Sequence, residues 1–219
     1  MAIGRALLTA PEILLMDEPL ASLDLPRKRE LLPYLEKLSK DVKIPILYVS
    51  HSLDEILRLA DKVIVMAQGK VKAFGPLEEV WASSALRPWL QQETLSSVLN
   101  VEVHSQHPDY QMTAVLVGGQ KLWIPRVNVD KNSELRLRID ASDVSLVLEK
   151  PLVSSIRNII SAEVVEWVED GEQVDVKLDL GDEHYLWARI TRWARDELSI
   201  RKGRKVFAQV KSASLSKTF

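Results

Sequence analysis

Two short stretches carry residues placed to do chemistry. Asp17 and Glu18 close the apolar run Ile13-Leu14-Leu15-Met16, and Ser50 and His51 close a second run, Ile44 to Val49. Adjacent carboxylates at the end of a buried strand suit a magnesium ligand beside a base that activates water, because α/β sheets present their chemistry at the carboxyl ends of strands. The hydroxyl and imidazole of the second stretch suit contacts to a phosphate. The plain alternative is that two acids merely follow a core strand into solvent, and context decides between these readings. Residues 54–60 read as a helix, with Leu53, Ile56, Leu57 and Ala60 on one buried face, so a strand–loop–helix unit positions His51.

The segments ILLMDEP (13–19), ASLD (21–24) and YVSHSLDEILRLAD (48–61) resemble the ATP-binding cassette ATPases. The resemblance implies ATP and Mg²⁺ as cofactors. It implies that Asp17 holds magnesium through water, Glu18 polarises the attacking water and His51 contacts the γ-phosphate. Ser50 and Asp24 join the nucleotide-binding set, Asp24 at the interface of two cassettes. Such roles fit phosphoryl transfer, which rests on positioning and charge neutralisation. No G-x-x-x-x-G-K-[ST] loop, glutamine loop or LSGGQ-type signature occurs in the sequence. The chain is therefore expected to be an N-terminally truncated cassette starting just after the signature, with little or no ATPase activity alone. A separately encoded N-terminal half is then a candidate partner.

The chain has 219 residues, 46% of them hydrophobic, a net charge of -2 and no cysteine. That is enough for a core and excludes disulfides and thiolate chemistry. No apolar run reaches the ~20 residues a bilayer requires. The near-neutral balance argues against a nucleic-acid partner, and Arg201, Lys202, Arg204 and Lys205 read as a solvated turn.

A hairpin over 63–75 and a helix around 77–90 lead to a change of organisation near residue 90. Short alternating strands follow at 101–103, 113–117, 135–139, 144–148, 174–180, 185–190 and 206–210. Segment 98–103 is similar to 159–164, and both lead to a Leu-Trp pair, Leu122-Trp123 and Leu186-Trp187, which indicates two related barrel modules. The second resembles molbindin, an OB-like molybdate-binding barrel, through Ser154-Ser155-Ile156-Arg157-Asn158 and Val210-Lys211-Ser212-Ala213-Ser214. By that resemblance Ser155, Arg157, Asn158, Lys211 and Ser212 are the ligands of molybdate or tungstate. A small dianion wants fixed donors and positive charge. In the repeat alignment Thr94, Ser96, Ser97 and Asp140 fall opposite Ser155, Arg157, Asn158 and Lys211. An acid in place of a cation repels a dianion, so the first module is expected to be structural. His104 and His107 read as an exposed hairpin rather than a metal site, and Trp167, Trp187 and Trp193 as packing rather than base stacking.

The expected fold class is thus the α/β half of a P-loop NTPase cassette over 1–90, followed by all-β OB-like barrel modules of the TOBE or molbindin type over 91–150 and 151–219. The whole resembles the ATPase subunit of bacterial molybdate importers. That resemblance implies ATP hydrolysis coupled to a membrane permease, homodimerisation through cassette and barrel, and a cytoplasmic place on the inner membrane. The alternatives are an inactive oxyanion-binding or storage remnant and the ATPase subunit of a sugar importer.

Overall fold

The computed structural model describes residues 2–42, 44–83, 86 and 95–218. The chain divides into two compact units, 1–64 with 75–77, and 65–74 with 78–219.

The first unit contains α1 (Ala2–Leu8), β1 (Leu14–Asp17), α2 (Leu25–Asp41), β2 (Ile46–Val49) and α3 (Leu53–Leu59). β1 and β2 pair in parallel, with Leu14 opposite Ile46 and Asp17 opposite Val49. β1 alternates strictly: Leu14 and Met16 are buried, and Leu15 and Asp17 exposed. α2 starts where Asp24 accepts a hydrogen bond from the Arg27 amide at 2.9 Å, with Pro26 set at a position that needs no amide hydrogen. Ala6, Leu7, Leu14, Met16, Leu20, Leu35 and Leu38 line an open apolar cleft in this unit. The hairpin β3 (Lys62–Ala67) and β4 (Lys70–Pro76) spans the division, turning at Gln68 and Gly69, both with positive φ. The helix expected over 77–90 is α4 (Leu77–Trp81); residues 84, 85 and 87–90 lie outside the described residues.

The second unit is β-rich. β5 (Ser96–Gln106), β6 (Met112–Val117), β7 (Gln120–Pro125) and β8 (Glu134–Asp140) come from the first repeat. A short 3₁₀ turn, Ala141–Asp143, leads to β9 (Val144–Val147). The second repeat gives β10 (Asn158–Asp170), β11 (Gln173–Gly181), β12 (His184–Thr191), α5 (Arg192–Glu197), β13 (Lys205–Val210) and β14 (Ser214–Thr218). These strands form two five-stranded sheets, ordered β12-β11-β10-β13-β9 and β14-β8-β5-β6-β7.

Each sheet therefore takes its last strand from the other repeat. β9 pairs antiparallel with β13, and β14 with β8. The expected boundary at 150/151 falls between β9 and β10, inside one compact unit, and one apolar core runs from Leu99 to Val210 through both repeats. The inward rows of both sheets are aliphatic, with Val115, Leu122, Leu137, Ile160, Leu178 and Leu186 fully buried.

The pairing repeats along with the sequence. Ser97 lies opposite Ile139 on β8, and Asn158 opposite Val210 on β13, so each strand pair copies the other's register. The side chains repeat too. Asn158 Nδ2 donates to the Trp123 carbonyl at 2.9 Å and Oδ1 accepts from the Trp123 amide at 2.7 Å, while Ser97 Oγ accepts from the Trp187 amide at 2.7 Å. Gln120 bonds both backbone groups of Ser161 at 2.8 and 2.9 Å, and His184 Nε2 meets the Asn100 carbonyl at 2.8 Å. The hairpin tips meet at Gly118, where a Cβ would stand 1.9 Å from the Leu180 carbonyl oxygen.

Candidate functional site

Two separate places hold the residues singled out by the sequence. The first is the corner where β1 and β2 end. Because Asp17 pairs with Val49, the next residues on each strand fall side by side, and the Glu18 amide donates to the Val49 carbonyl at 2.9 Å. Glu18 has φ 43°, a left-handed conformation that costs a non-glycine residue of order 1 kcal/mol and recurs at functional corners. That turn aims its carboxylate at His51: Glu18 Oε1 accepts the His51 amide at 3.0 Å and faces Nδ1 at 2.7 Å. An ionised carboxylate only accepts, so this contact places a proton on Nδ1 and leaves Nε2 directed elsewhere. Asp17 is exposed beside this pair.

Behind the corner lies a residue the sequence reading missed. Glu55 on α3 is only 2% exposed and accepts from Lys28 Nζ of α2 at 2.9 Å and from the Tyr48 and Ser50 hydroxyls at 2.8 Å each. Burial pushes the Glu55 carboxyl up, but the bonds from Lys28, Ser50 and Tyr48 together hold it below the usual value. Burial, followed by the Glu55 bond, holds the Tyr48 phenol protonated well past its usual range. Ser50 Oγ also accepts the Ser52 amide at 3.1 Å, so the chain is tied on both sides of His51. Ser50, expected to reach phosphate, has its hydroxyl proton engaged by Glu55; Asp24, expected at an interface of cassettes, caps α2. The available signal for Glu55 was an acid set among the apolar positions 53, 56 and 57 of a short helix.

The second place is the end of the β10–β13 pair. Asn158 opposite Val210 sets Arg157 beside Lys211, with Ser155 leading into one strand and Ser212 leaving the other. Ser155, Arg157, Lys211 and Ser212 are all exposed. Asn158 differs: it is buried at 7% and spends its carboxamide on Trp123, tying the two sheets together. Ser212 Oγ bonds the Asp143 carboxylate, and the Lys211 amide donates to the Asp143 carbonyl at 2.9 Å.

The equivalent end of the first repeat is filled. Ser96 is fully buried and accepts from the Trp81 indole at 3.3 Å, while Arg138 Nε holds Asp140 at 3.0 Å. Trp81 sits on α4, itself fastened by a 2.8 Å ion pair from Glu78 to the buried Arg136. Thr94 lies outside the described residues. His107 Nδ1 accepts the Asp109 and Tyr110 amides at 3.1 and 3.2 Å in the hairpin loop, but His104 lies within β5, and both histidines are half-buried rather than exposed, His107 against the Tyr110 and Trp123 rings. Trp187 is core, whereas Trp193 is 75% exposed.

Residues 154–216 match the family model of the TOBE domain. The molybdenum import ATP-binding protein ModC of Photorhabdus laumondii is 67% identical over 214 residues, 98% of this chain and 60% of that protein. The chain is a homologue of the molybdenum import ATP-binding proteins. Those of Yersinia pseudotuberculosis and Salmonella choleraesuis are 63% and 60% identical over 99% of this chain. The chain spans about 60% of the length of these relatives. A molybdate-bound structure of the cytoplasmic molybdate-binding protein ModG aligns with a TM-score of 0.48 and 21% identity, over 54% of this chain and 94% of that one. The homology to the ModC proteins runs through both the Glu18–His51 corner and the repeats, and the TOBE match encloses Ser155, Arg157, Asn158, Lys211 and Ser212.

Proposed function

We propose that this chain carries the hydrolytic corner and the oxyanion-binding domain of an energy-coupling subunit for molybdate or tungstate import. The observation behind this reading is the Glu18–His51 contact, 2.7 Å at the ends of two parallel strands, beside the exposed Asp17. Glu18 is the general base toward water. His51, held by Glu18 through Nδ1 and by its own amide, turns Nε2 toward the terminal phosphate of ATP and donates to it in the imidazolium form, in which both ring nitrogens carry protons. Asp17 suits magnesium, which favours oxygen ligands and is commonly held by one or two carboxylates plus phosphate oxygens. Among the described residues no cluster of three or more acids and histidines forms an all-protein metal cage, and a phosphate-shared ion needs none. Bound magnesium supplies charge neutralisation to phosphoryl transfer.

In this reading the half-cassette assembles with the remaining nucleotide-binding elements of its subunit, pairs with a second cassette and couples to a membrane permease on the cytoplasmic face. Among the described residues no helix is long and apolar enough to cross a membrane. The open end of the second repeat binds the oxyanion through Ser155, Arg157 and Lys211, with Ser212 beside them but engaged by Asp143, and Asn158 as the tie that sets their strand. The filled end of the first repeat binds none. Calorimetry of the full chain against sodium molybdate and against Mg-ATP, on one preparation, tests the reading. One oxyanion site per chain, lost in Arg157→Ala, supports it, and two sites or none count against it. Molybdate binding with no interaction with Mg-ATP even when the remaining nucleotide-binding elements are supplied favours an oxyanion-storage role.

A further inference from the structure

We infer that Asp143 is a built-in competitor at the oxyanion end of the second repeat, setting its affinity for tetrahedral dianions. The inference deepens the oxyanion reading above and rests on it. In the sheet order β10-β13-β9, Val210 pairs with Asn158 on one side and with Val144 on the other. One residue beyond that row come Arg157, Lys211 and Asp143, so a carboxylate sits on the far side of Lys211 from the arginine. The backbone keeps it there, since the Lys211 amide donates to the Asp143 carbonyl at 2.9 Å. Its side chain is engaged with the very hydroxyl a ligand would use, Ser212 Oγ on Asp143 Oδ2.

Two effects follow, both adverse to a dianion. A serine hydroxyl has one proton, and an ionised carboxylate can only accept, so Ser212 donates to Asp143 and has none left for an oxyanion. A fixed negative charge also lies in the row that should attract the ligand. A dianion and a carboxylate ~6 Å apart in water-like surroundings repel by an amount worth roughly tenfold in affinity. Asp143 belongs to the first repeat, so the second repeat's site is tuned by a residue 68 positions upstream of Lys211 in the chain.

The experiment is calorimetric titration of the full chain with sodium molybdate, with sodium sulfate in parallel, on the unmodified protein, Asp143→Asn, Asp143→Ser, Ser212→Ala and the double variant Asp143→Asn with Ser212→Ala. Asp140→Asn, at the filled end of the first repeat, is the control. Asp143→Asn is expected to bind molybdate roughly tenfold more tightly, Asp143→Ser to do likewise, and Asp140→Asn to be unchanged. Ser212→Ala is expected to cost little in the unmodified protein and several-fold once Asp143 is neutral, a coupling that simple destabilisation does not produce. Equal or weaker binding by both Asp143 variants, with melting temperatures unchanged, overturns the inference while leaving the oxyanion reading standing. No binding by any of the six proteins overturns both.

Discussion

Asn158→Ala should be among the most damaging single substitutions in the β-rich unit, although it removes no apolar contact. The buried carboxamide makes two hydrogen bonds, at 2.7 and 2.9 Å, to both backbone groups of Trp123 on the other sheet. Deleting it strands a donor and an acceptor that have no ladder partner at that position. Leaving a buried backbone group unsatisfied costs ~1–3 kcal/mol, so about 3 kcal/mol is expected for the pair once water has partly re-entered. In a unit of this size that lowers the melting midpoint by roughly 6–12 °C. Ser97→Ala, at the equivalent place, removes one bond and should cost about 1 kcal/mol. Asn158→Asp keeps the acceptor for the Trp123 amide but turns an oxygen toward the Trp123 carbonyl, so it should be no better than Ala. Thermal melting followed by tryptophan fluorescence suits the test, since Trp123, Trp167, Trp187 and Trp193 report on this unit. A drop under 2 °C for Asn158→Ala, or a larger one for Ser97→Ala, would refute the reciprocal clasp as a source of stability.

Gly118→Ala should cost more than about 3 kcal/mol and leave little folded protein at 37 °C, because its φ is positive and its Cβ meets a backbone carbonyl rather than a movable side chain; soluble yield and melting midpoint check this. Glu55→Gln leaves Lys28 partly buried without its charge partner and should loosen the β2–α3 turn by about 2–4 kcal/mol, read as faster amide exchange at Ser50 to Ser52 and a changed His51 Nδ1 signal by NMR. Since the folded Glu55 carboxyl is held below its ordinary value of 4.5, its contribution is present above that value and is lost as pH falls through the lower folded value. The acid-side slope of local stability should therefore flatten in Glu55→Gln; an unchanged slope refutes the assignment. Arg192→Ala should alter stability little, because its bond to Glu169 lies on an exposed surface, and a midpoint shift above 3 °C contradicts that.

Local pattern made the elements legible and left their partners hidden. The seven β segments read from alternation all lie in strands, with Leu148 the one residue beyond its strand's end. The repeat was visible because Leu122-Trp123 and Leu186-Trp187 recur at matching distances from similar strands. Strand exchange was not, since the alternation of β9 fits either sheet equally well and nothing within four residues names a neighbour. The meeting of Glu18 and His51 was legible because polar residues that close two neighbouring apolar strands leave a sharp local signature. Glu55 was missed because a buried acid on a helix looks like a solvated one until Lys28, Tyr48 and Ser50 arrive from elsewhere in the chain. Asn158 is a ligand by the resemblance of 154–158 to molbindin, and local pattern gives no sign that its carboxamide also bonds Trp123 on the opposite sheet. Asp143 escaped notice because it lies in the other repeat.

The exchanged strands make the β-rich unit a domain-swapped dimer written into one polypeptide. A lone repeat would have to find a second copy to complete its sheets, whereas the segment between β9 and β10 keeps the two halves together at every protein concentration. Covalent fusion also releases the halves from identity. A true symmetric dimer must present the same surface twice, so any residue that closes one end closes both. Here Trp81 can seal the first end and Lys211 can stay open at the other, giving one molecule two ends with different fates.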